Sequence, residues 1–247
     1  MVSIIEALVT NNRCYQIGTP LIPRGIMLHS VGTPQPSARA LVRYMDQYQP
    51  GGQSVCVHAV AQADGTVYQL LPWEMRGWHC GGSANSTHIG VEMTEPSAGM
   101  TRDEAAEQIA GTYRTAVALF AELCKQYDLD PAQDGVLIGH AEGHRRGVAS
   151  NHADPELLWQ QYHTSCTMDG FRRDVAEAMA KEDREEVPDM TRYDSVAEMP
   201  QWARADAQRL IDRGALQGNT DGKLDVSEDM LRTMIVCQRM VDEQKET

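Results

Sequence analysis

The chain is short of positive charge. Its 22 Lys and Arg stand against 35 Asp and Glu, a formal net charge of −13. Nucleic-acid binding relies on Lys and Arg neutralising phosphates, so this balance argues against a phosphate-tracking surface. It equally disfavours electrostatic adhesion to anionic membranes or wall polymers. No apolar run approaches the ~18–20 residues that a bilayer span needs, so no membrane insertion is expected. The six cysteines, at 14, 56, 80, 124, 166 and 237, include no CxxC pair, which leaves out zinc ribbons and thioredoxin-type motifs. Cys56 and Cys124 lie in apolar runs and read as buried thiols of a protein made in a reducing compartment. The start, MVSIIEALVTNNR, lacks a basic segment leading into an apolar one, and Glu6 interrupts the only candidate. The expectation is a soluble protein made in the cytoplasm without a signal peptide.

What is present suits a folded enzyme-sized chain. With 247 residues, 42% of them hydrophobic and 23% charged, there is apolar mass for a real core in one domain or two. Residues 25–31, GIMLHSV, read as a strand that delivers His29 at its C-terminal end. Ser37 looks like the N-cap of a helix with Ala40, Leu41, Tyr44 and Tyr48 on one face, stopped by Pro50-Gly51-Gly52. Residues 54–62 alternate like a half-buried strand, and Asp64-Gly65 turns into TVYQLLP as a hairpin. The Trp- and Gly-rich WEMRGWHCGGS reads as a loop. HIGVEM, residues 88–93, is a further short strand carrying Glu92. Thr101 to Glu104 has the capping-box pattern and opens a long helix through Ile109, Tyr113, Val117, Phe120 and Cys124, ended by Asp130-Pro131. VLIGH and then a closing helix, TMDGFRRDVAEAMAKE, follow. Strands and helices in this order predict an α/β fold, a mixed central sheet flanked by helices.

The charged, Pro-containing 183–190 reads as a linker between a domain at 1–182 and a small helical unit at 191–247. In that unit Ala203, Ala207, Leu210 and Ile211 mark one amphipathic helix with Gly214 at its C-terminal end. Ser227 caps another through Met230, Leu231, Met234 and Ile235.

The densest chemistry lies in Gly139–Pro155, GHAEGHRRGVASNHADP, which holds three of the chain's eight histidines with Glu142 and Asp154. Alone, this stretch is as compatible with a polar surface loop as with a metal or acid–base site. The strand ends tip the balance. His29, Glu92 and His140 each fall at or near the end of a strand, where polar side chains are expensive to place unless they serve a site. Two histidines and a carboxylate make a zinc set that leaves one position open for water.

Taken with MLHSVG around His29, VHAVAQADGTVYQLLP, WHCGG at 78–82, HIGVEM around Glu92 and IGH at 138–140, the sequence resembles the zinc-dependent N-acetylmuramoyl-L-alanine amidases, whose fold is shared with phage endolysins and peptidoglycan recognition proteins. The motifs run in family order across roughly residues 20–180. The resemblance implies Zn²⁺ on His29 and His140, with a Cys or Asp downstream as third ligand; here that is Asp154 in HADP. His152 takes the position two before that ligand, where the family usually has a Lys that stabilises the oxyanion. Glu92 matches the acidic residue of the IGxE strand and is the expected general base, since Val57 stands where some members carry a Tyr.

Other assignments are weaker. His58 reads as a wall or core residue and, with Trp78 and His79, is assigned to the substrate groove. His144 could chelate with His140 only if the segment were helical; Gly143 and Gly147 favour a loop, which ranks it below Asp154. Cys166 lies far past His140 and ranks lower still. His88 and His163 read as surface residues. The C-terminal unit resembles an S-layer-homology-type repeat, for wall association or self-association as a homodimer. The implied substrate is peptidoglycan, cleaved between N-acetylmuramic acid and L-alanine, by a prophage or phage endolysin reaching the wall after holin-type release or lysis. The alternatives are a non-catalytic peptidoglycan-binding protein of the same fold and a cytoplasmic muropeptide-recycling amidase.

Overall fold

Two parallel strands carry the centre of the molecule, Gly25–Ser30 and His88–Met93, paired along their whole length from Gly25 opposite His88 to Ser30 opposite Met93. The structure, a computed structural model, describes residues 2–47, 55–186 and 191–243. By contacts within the chain it divides into two units, Met1–Lys181 and Glu182–Thr247.

In the first unit the elements run β1 Ser3–Glu6, α1 Arg13–Ile17, β2 Gly25–Ser30, α2 Ala38–Met45, β3 Ala59–Ala61, β4 Thr66–Gln69, β5 His88–Met93, α3 Arg102–Gln126, β6 Leu137–Gly139, α4 His140–Arg145, α5 Glu156–Gln161 and α6 Met168–Glu186. The sheet order is β1-β4-β3-β5-β2-β6. Only the β3–β4 hairpin is antiparallel; the other neighbours run parallel. This is the mixed α/β sheet expected. The hairpin turns at Asp64-Gly65, where Gly65 takes φ 88° and the Thr66 N–H donates to Asp64 Oδ1 at 3.0 Å.

Parallel strands with helices on their faces read as apolar runs rather than alternating ones, and β2 is buried at every position. Its Ile26 and Leu28 pack with Ile89, Val91 and Met93 of β5 against Leu119 and Phe120 of α3 and Phe171 of α6. Met27 packs on the opposite face with Cys80, Ala84 and Ile138. Alternation along the strand then sends His29 to the same face as Met27. α3 begins with the capping box foreseen: Thr101 Oγ1 accepts from the Glu104 N–H, and Glu104 accepts from the Thr101 N–H.

Several expectations are corrected. β1 and α1 were not foreseen. The strand expected over 54–62 is a ladder only at Ala59–Ala61, with an isolated bridge from Cys56 to Trp78. Residues 56 to 60 are all buried rather than alternating, because the segment is covered on both faces. On α2 the buried positions are Ala38, Leu41 and Met45, and Tyr44 is exposed. Ser37 sits at the N-cap without a side-chain cap bond. Tyr48 and the Pro50-Gly51-Gly52 stop lie outside the described residues. The expected linker at 183–190 starts inside α6, which continues to Glu186; 187–190 lie outside the described residues.

In the second unit a two-stranded ladder, β7 Arg192–Tyr193 with β8 Val226–Ser227, accompanies α7 Gln201–Asp212 and α8 Glu228–Glu243. Ala203, Ala207 and Leu210 of α7 meet Leu231 and Ile235 of α8 in a separate small core. Ser227 Oγ accepts from the Met230 N–H at 3.2 Å, as a cap should.

Candidate active site

The C-terminal ends of β2, β5 and β6 open into one cleft of about 340 Å³, the place where ligands bind on parallel sheets. β2 places His29 one residue from its end, in register with Glu92 of β5. β6 ends at Gly139, beside Leu28, so His140 enters the cleft as the first residue of α4. Asp154 arrives on the segment that leads into α5, and its carbonyl accepts from the Ala141 N–H at 2.9 Å, which ties it to α4.

His29, His140 and Asp154 each offer one ligand atom, all within 4.8 Å of one another. His29 Nδ1 lies 3.0 Å from His140 Nδ1 and 3.2 Å from Asp154 Oδ2, and Asp154 Oδ1 lies 3.5 Å from His140 Nδ1. Two ring nitrogens and a carboxylate turned on one point are electron-rich partners that need a positive charge between them. A divalent cation fits that requirement, and the far edges of both rings are already occupied by other partners. His29 Nε2 meets His79 Nδ1 at 2.9 Å, and His79 Nε2 meets the His88 carbonyl at 3.1 Å. His140 Nε2 meets Ser150 Oγ at 3.2 Å. An N–H on each Nε2 would leave both Nδ1 atoms as lone pairs facing inward once a cation sat between them, the form a metal ligand takes.

Charge follows the same geometry. Burial alone would raise the Asp154 carboxyl; its hydrogen bond and charge contact with His29, aided by His140, hold it below the usual range. Burial lowers His29, but Asp154 and Glu92 outweigh that and its pKa is raised. His140 is pushed down to about 4 by burial and by the neighbouring His29. Glu92 is pushed up to about 7, mainly by burial. Its Oε2 is buried with no hydrogen-bond partner, an acceptor held ready beside the three candidate ligands. Among the described residues lining the cleft there is no lysine or arginine. His152, exposed at the rim, is the basic group available; its Nδ1 is 3.1 Å from Ser150 Oγ and 3.3 Å from His140 Nε2.

The remaining expectations divide. His29, His140, Asp154, Glu92, His152 and His79 all line the cleft. His58 does not: it is fully buried, accepting from the Gly90 N–H and donating to the Met75 carbonyl, so it is a core residue rather than part of a groove. Trp78 lines a separate depression with Arg76 and Asn85. His79 lies under His29 as its hydrogen-bond partner, which the groove assignment missed. His144 is on helix α4 after all, but it is exposed and outside the ligand group. Of the two glycines that argued for a loop, Gly143 serves packing, since a Cβ there would meet Met27 Cε at 2.8 Å and Ala149 Cβ at 3.1 Å, while Gly147 lies past the helix at φ 72° with open space around it. Cys166 faces another cavity, with Trp159 and Asp169. His88 is buried, with Nε2 bonded to the Gly135 carbonyl, and is not a surface residue.

Sequence reasoning overlooked Gly90 and Ser150. A Cβ on Gly90 would come within 2.4 Å of the His79 ring; only glycine lets that ring lie on the sheet beneath His29. Ser150 donates its N–H to the Cys80 carbonyl at 2.7 Å, so the loop that carries His79 also holds Ser150. A small residue in a strand was the one available signal for the first; nothing in sequence marked the second.

At the strand ends of this mixed sheet, two histidines and a carboxylate form a group that could hold a metal ion, beside a buried glutamate. The N-acetylmuramoyl-L-alanine amidase family (Amidase_2) matches residues 18–157, a stretch that contains most of the cleft and every candidate ligand, and the chain belongs to that family. Among solved structures it is similar to the Staphylococcus aureus hydrolase AmiA in complex with its ligand, at 19% identity and TM-score 0.58, over 76% of this chain and 87% of that one. It is similar to the catalytic domain of XlyA, at 23% identity and TM-score 0.52, over 70% of this chain and 99% of that one. The structure of PlyL aligns at 19% identity and TM-score 0.51, over 71% of this chain and 96% of that one. At these identities the likeness is one of fold. No curated protein sequence matches the chain.

Proposed function

We propose that this amidase is a zinc-dependent peptidoglycan hydrolase of endolysin type that cleaves the amide between N-acetylmuramic acid and L-alanine. The observation that carries the reading is the convergence of His29 Nδ1, His140 Nδ1 and an Asp154 oxygen beside a glutamate whose Oε2 has no partner. Those three side chains would hold Zn²⁺. Bound there, zinc would supply Lewis-acid polarisation of the scissile carbonyl and would make water acidic enough to attack near neutral pH.

The chain's own groups then divide the proton work. Glu92, with a carboxyl poised near neutrality, takes a proton from the attacking water and returns it to the leaving L-alanine amine. His152 donates a hydrogen bond to the carbonyl oxygen as it gains charge. Asp154 and the partners of the two ligand histidines keep the donor atoms in place. The domain bounds proposed are 1–182 for catalysis and 191–247 for a helical unit that associates with the wall or with a second copy. That unit lies outside the family match. With eight basic and thirteen acidic residues over 186–247, wall contact there would rest on shape and hydrogen bonds rather than bulk charge.

The test is zinc content of the purified chain together with clearing of susceptible walls before and after chelation. Stoichiometric zinc, activity lost with chelator and restored by zinc, and a free L-alanine amine in the products support the reading. A protein that binds no zinc and releases no stem peptide ends it.

A further inference from the structure

Glu95 is a cleft residue that neither the ligand group nor the proton work uses. It follows the end of β5 by two residues and lines the cleft with only 8% of its surface exposed. Its backbone N–H donates to the Gln35 carbonyl at 2.9 Å. Its carboxylate Oε1 accepts from the Gly32 N–H at 2.7 Å, which ties the end of β5 to the loop after β2. The side chain is therefore anchored at both ends. Among the described residues its carboxylate makes no other hydrogen bond and no ion pair.

The charges around it make that conspicuous. The cleft is lined by three carboxylates, those of Glu92, Glu95 and Asp154, and among the described residues by no lysine or arginine. A divalent cation on the ligand group would be balanced by Asp154 and Glu92. Glu95, whose charge is close enough to bear on Glu92, is the carboxylate left over.

A carboxylate so enclosed is normally paired, and in its ionised form it accepts hydrogen bonds without donating any. With Oε1 committed to Gly32, Oε2 is the atom with capacity to spare. The partner that suits it is an N–H donor brought in by the substrate. A substrate carboxylate in the same place would meet a like charge with no cation between the two.

We propose that Glu95 is a specificity-determining residue that takes an N–H donor of the stem peptide and turns away a stem that carries a carboxylate there. The proposal rests on the amidase reading for the identity of the substrate. Two groups of a wall peptide have this chemistry. One is the carboxamide of D-isoglutamine after L-alanine, as against the free carboxylate of D-glutamate. The other is the side-chain ammonium of a diamino residue one place further along.

The experiment compares kcat/KM for two matched pairs of fragments on zinc-loaded wild type and Glu95→Gln. The first pair is N-acetylmuramoyl-L-alanyl-D-isoglutamine and its D-glutamate counterpart. The second is the tripeptide extended by L-lysine, with the side-chain amine free or acetylated. Wild type should favour the donor-bearing member of at least one pair by roughly tenfold or more, the scale of a hydrogen bond to a charged group. The pair that shows the preference identifies the group Glu95 meets. Glu95→Gln keeps an oxygen for the Gly32 N–H and turns an NH₂ to the cleft, so the preference should vanish or reverse. No preference in wild type overturns the proposal whatever the variant does, and so does a preference that Glu95→Gln leaves unchanged. Calorimetric Kd values for the same fragments on zinc-loaded Glu92→Gln, with and without Glu95→Gln, read the preference without turnover. A wild type that cleaves none of the fragments, beside a binding preference that depends on Glu95, would sink the amidase reading and leave the role of Glu95 standing.

Discussion

His29 and Glu92 are register partners on adjacent parallel strands, β2 and β5, so the candidate ligand and the candidate base are fixed to each other by the sheet's backbone ladder rather than by a loop. Their separation therefore depends on strand pairing, the stiffest relationship in the fold, and Glu92 needs no hydrogen bond of its own to stay in place.

It follows that Glu92→Gln leaves the ligand set untouched. The variant should retain zinc at the wild-type ratio while peptidoglycan turnover falls at least ~10²-fold, the usual contribution of a positioned acid–base group. Metal content and released stem peptide, measured on one preparation, check this. An active Glu92→Gln removes the residue from the mechanism.

Asp154 and His144 should separate cleanly. Asp154→Ala is expected to lose zinc on dialysis, because it removes one of the three candidate ligand atoms grouped among the described residues. His144→Ala, changing an exposed side chain outside the group, should keep it. Loss of zinc from the His144 variant would put that histidine in the ligand set instead.

Gly90→Ala tests the buried support of the site. The added methyl would meet the His79 ring, pushing it from His29 Nε2. Zinc affinity should fall by about 10–100-fold, and stability by roughly 1–3 kcal/mol through overpacking. Titration with a competing chelator and urea unfolding measure the two effects separately. His79→Ala should reproduce the first.

His58 makes stability pH-dependent on the acid side. Burial, opposed by bonds to Met75 and Gly90, lowers its pKa to about 4 in the folded protein, against ~6.5 unfolded. Between those values the unfolded chain binds the extra proton, so stability is full above pH ~6.5 and declines as pH falls toward 4. The loss amounts to about 3 kcal/mol from this residue. Urea midpoints of metal-free wild type and His58→Gln across that range should diverge, with the flatter profile in the variant. His79, His88 and His140 share the sign, so the difference between the two proteins, not either curve alone, isolates His58.

The second unit has its own core, in which Leu231 is fully buried. Leu231→Ala should destabilise that unit by ~2–5 kcal/mol and leave zinc content and catalytic-cleft chemistry unchanged. Calorimetry showing one transition lowered and another unmoved is the expected result. A single transition shifted as a whole would speak against two independently folding domains.

Much of the site could be read along the chain. His29, Glu92 and His140 were visible because each ends a short apolar run, and a polar residue there is conspicuous. Asp154 was visible only by resemblance, since nothing local separates it from other loop carboxylates. Gly143 misled: its absence of a side chain read as a loop signal, whereas it lies within helix α4 and is packed closely against Met27 and Ala149. Ser150 carried no signal at all, because a serine in a polar loop means nothing until its neighbours in space are known.

Sequence alone therefore determined the strand ends, the helix caps at Thr101 and Ser227, the α/β class and the residue types that could bind a metal. These depend on periodicity and on groups close along the chain. Tertiary structure alone decided which ring nitrogen each histidine presents, that His79 rather than solvent backs His29, and that Ser150 stands between His140 and His152. Those are relations that reach from residues a few positions apart to residues more than a hundred apart. They arise only when the β2, β5 and β6 ends are brought together and water is excluded, so that each buried polar atom must take the partner beside it.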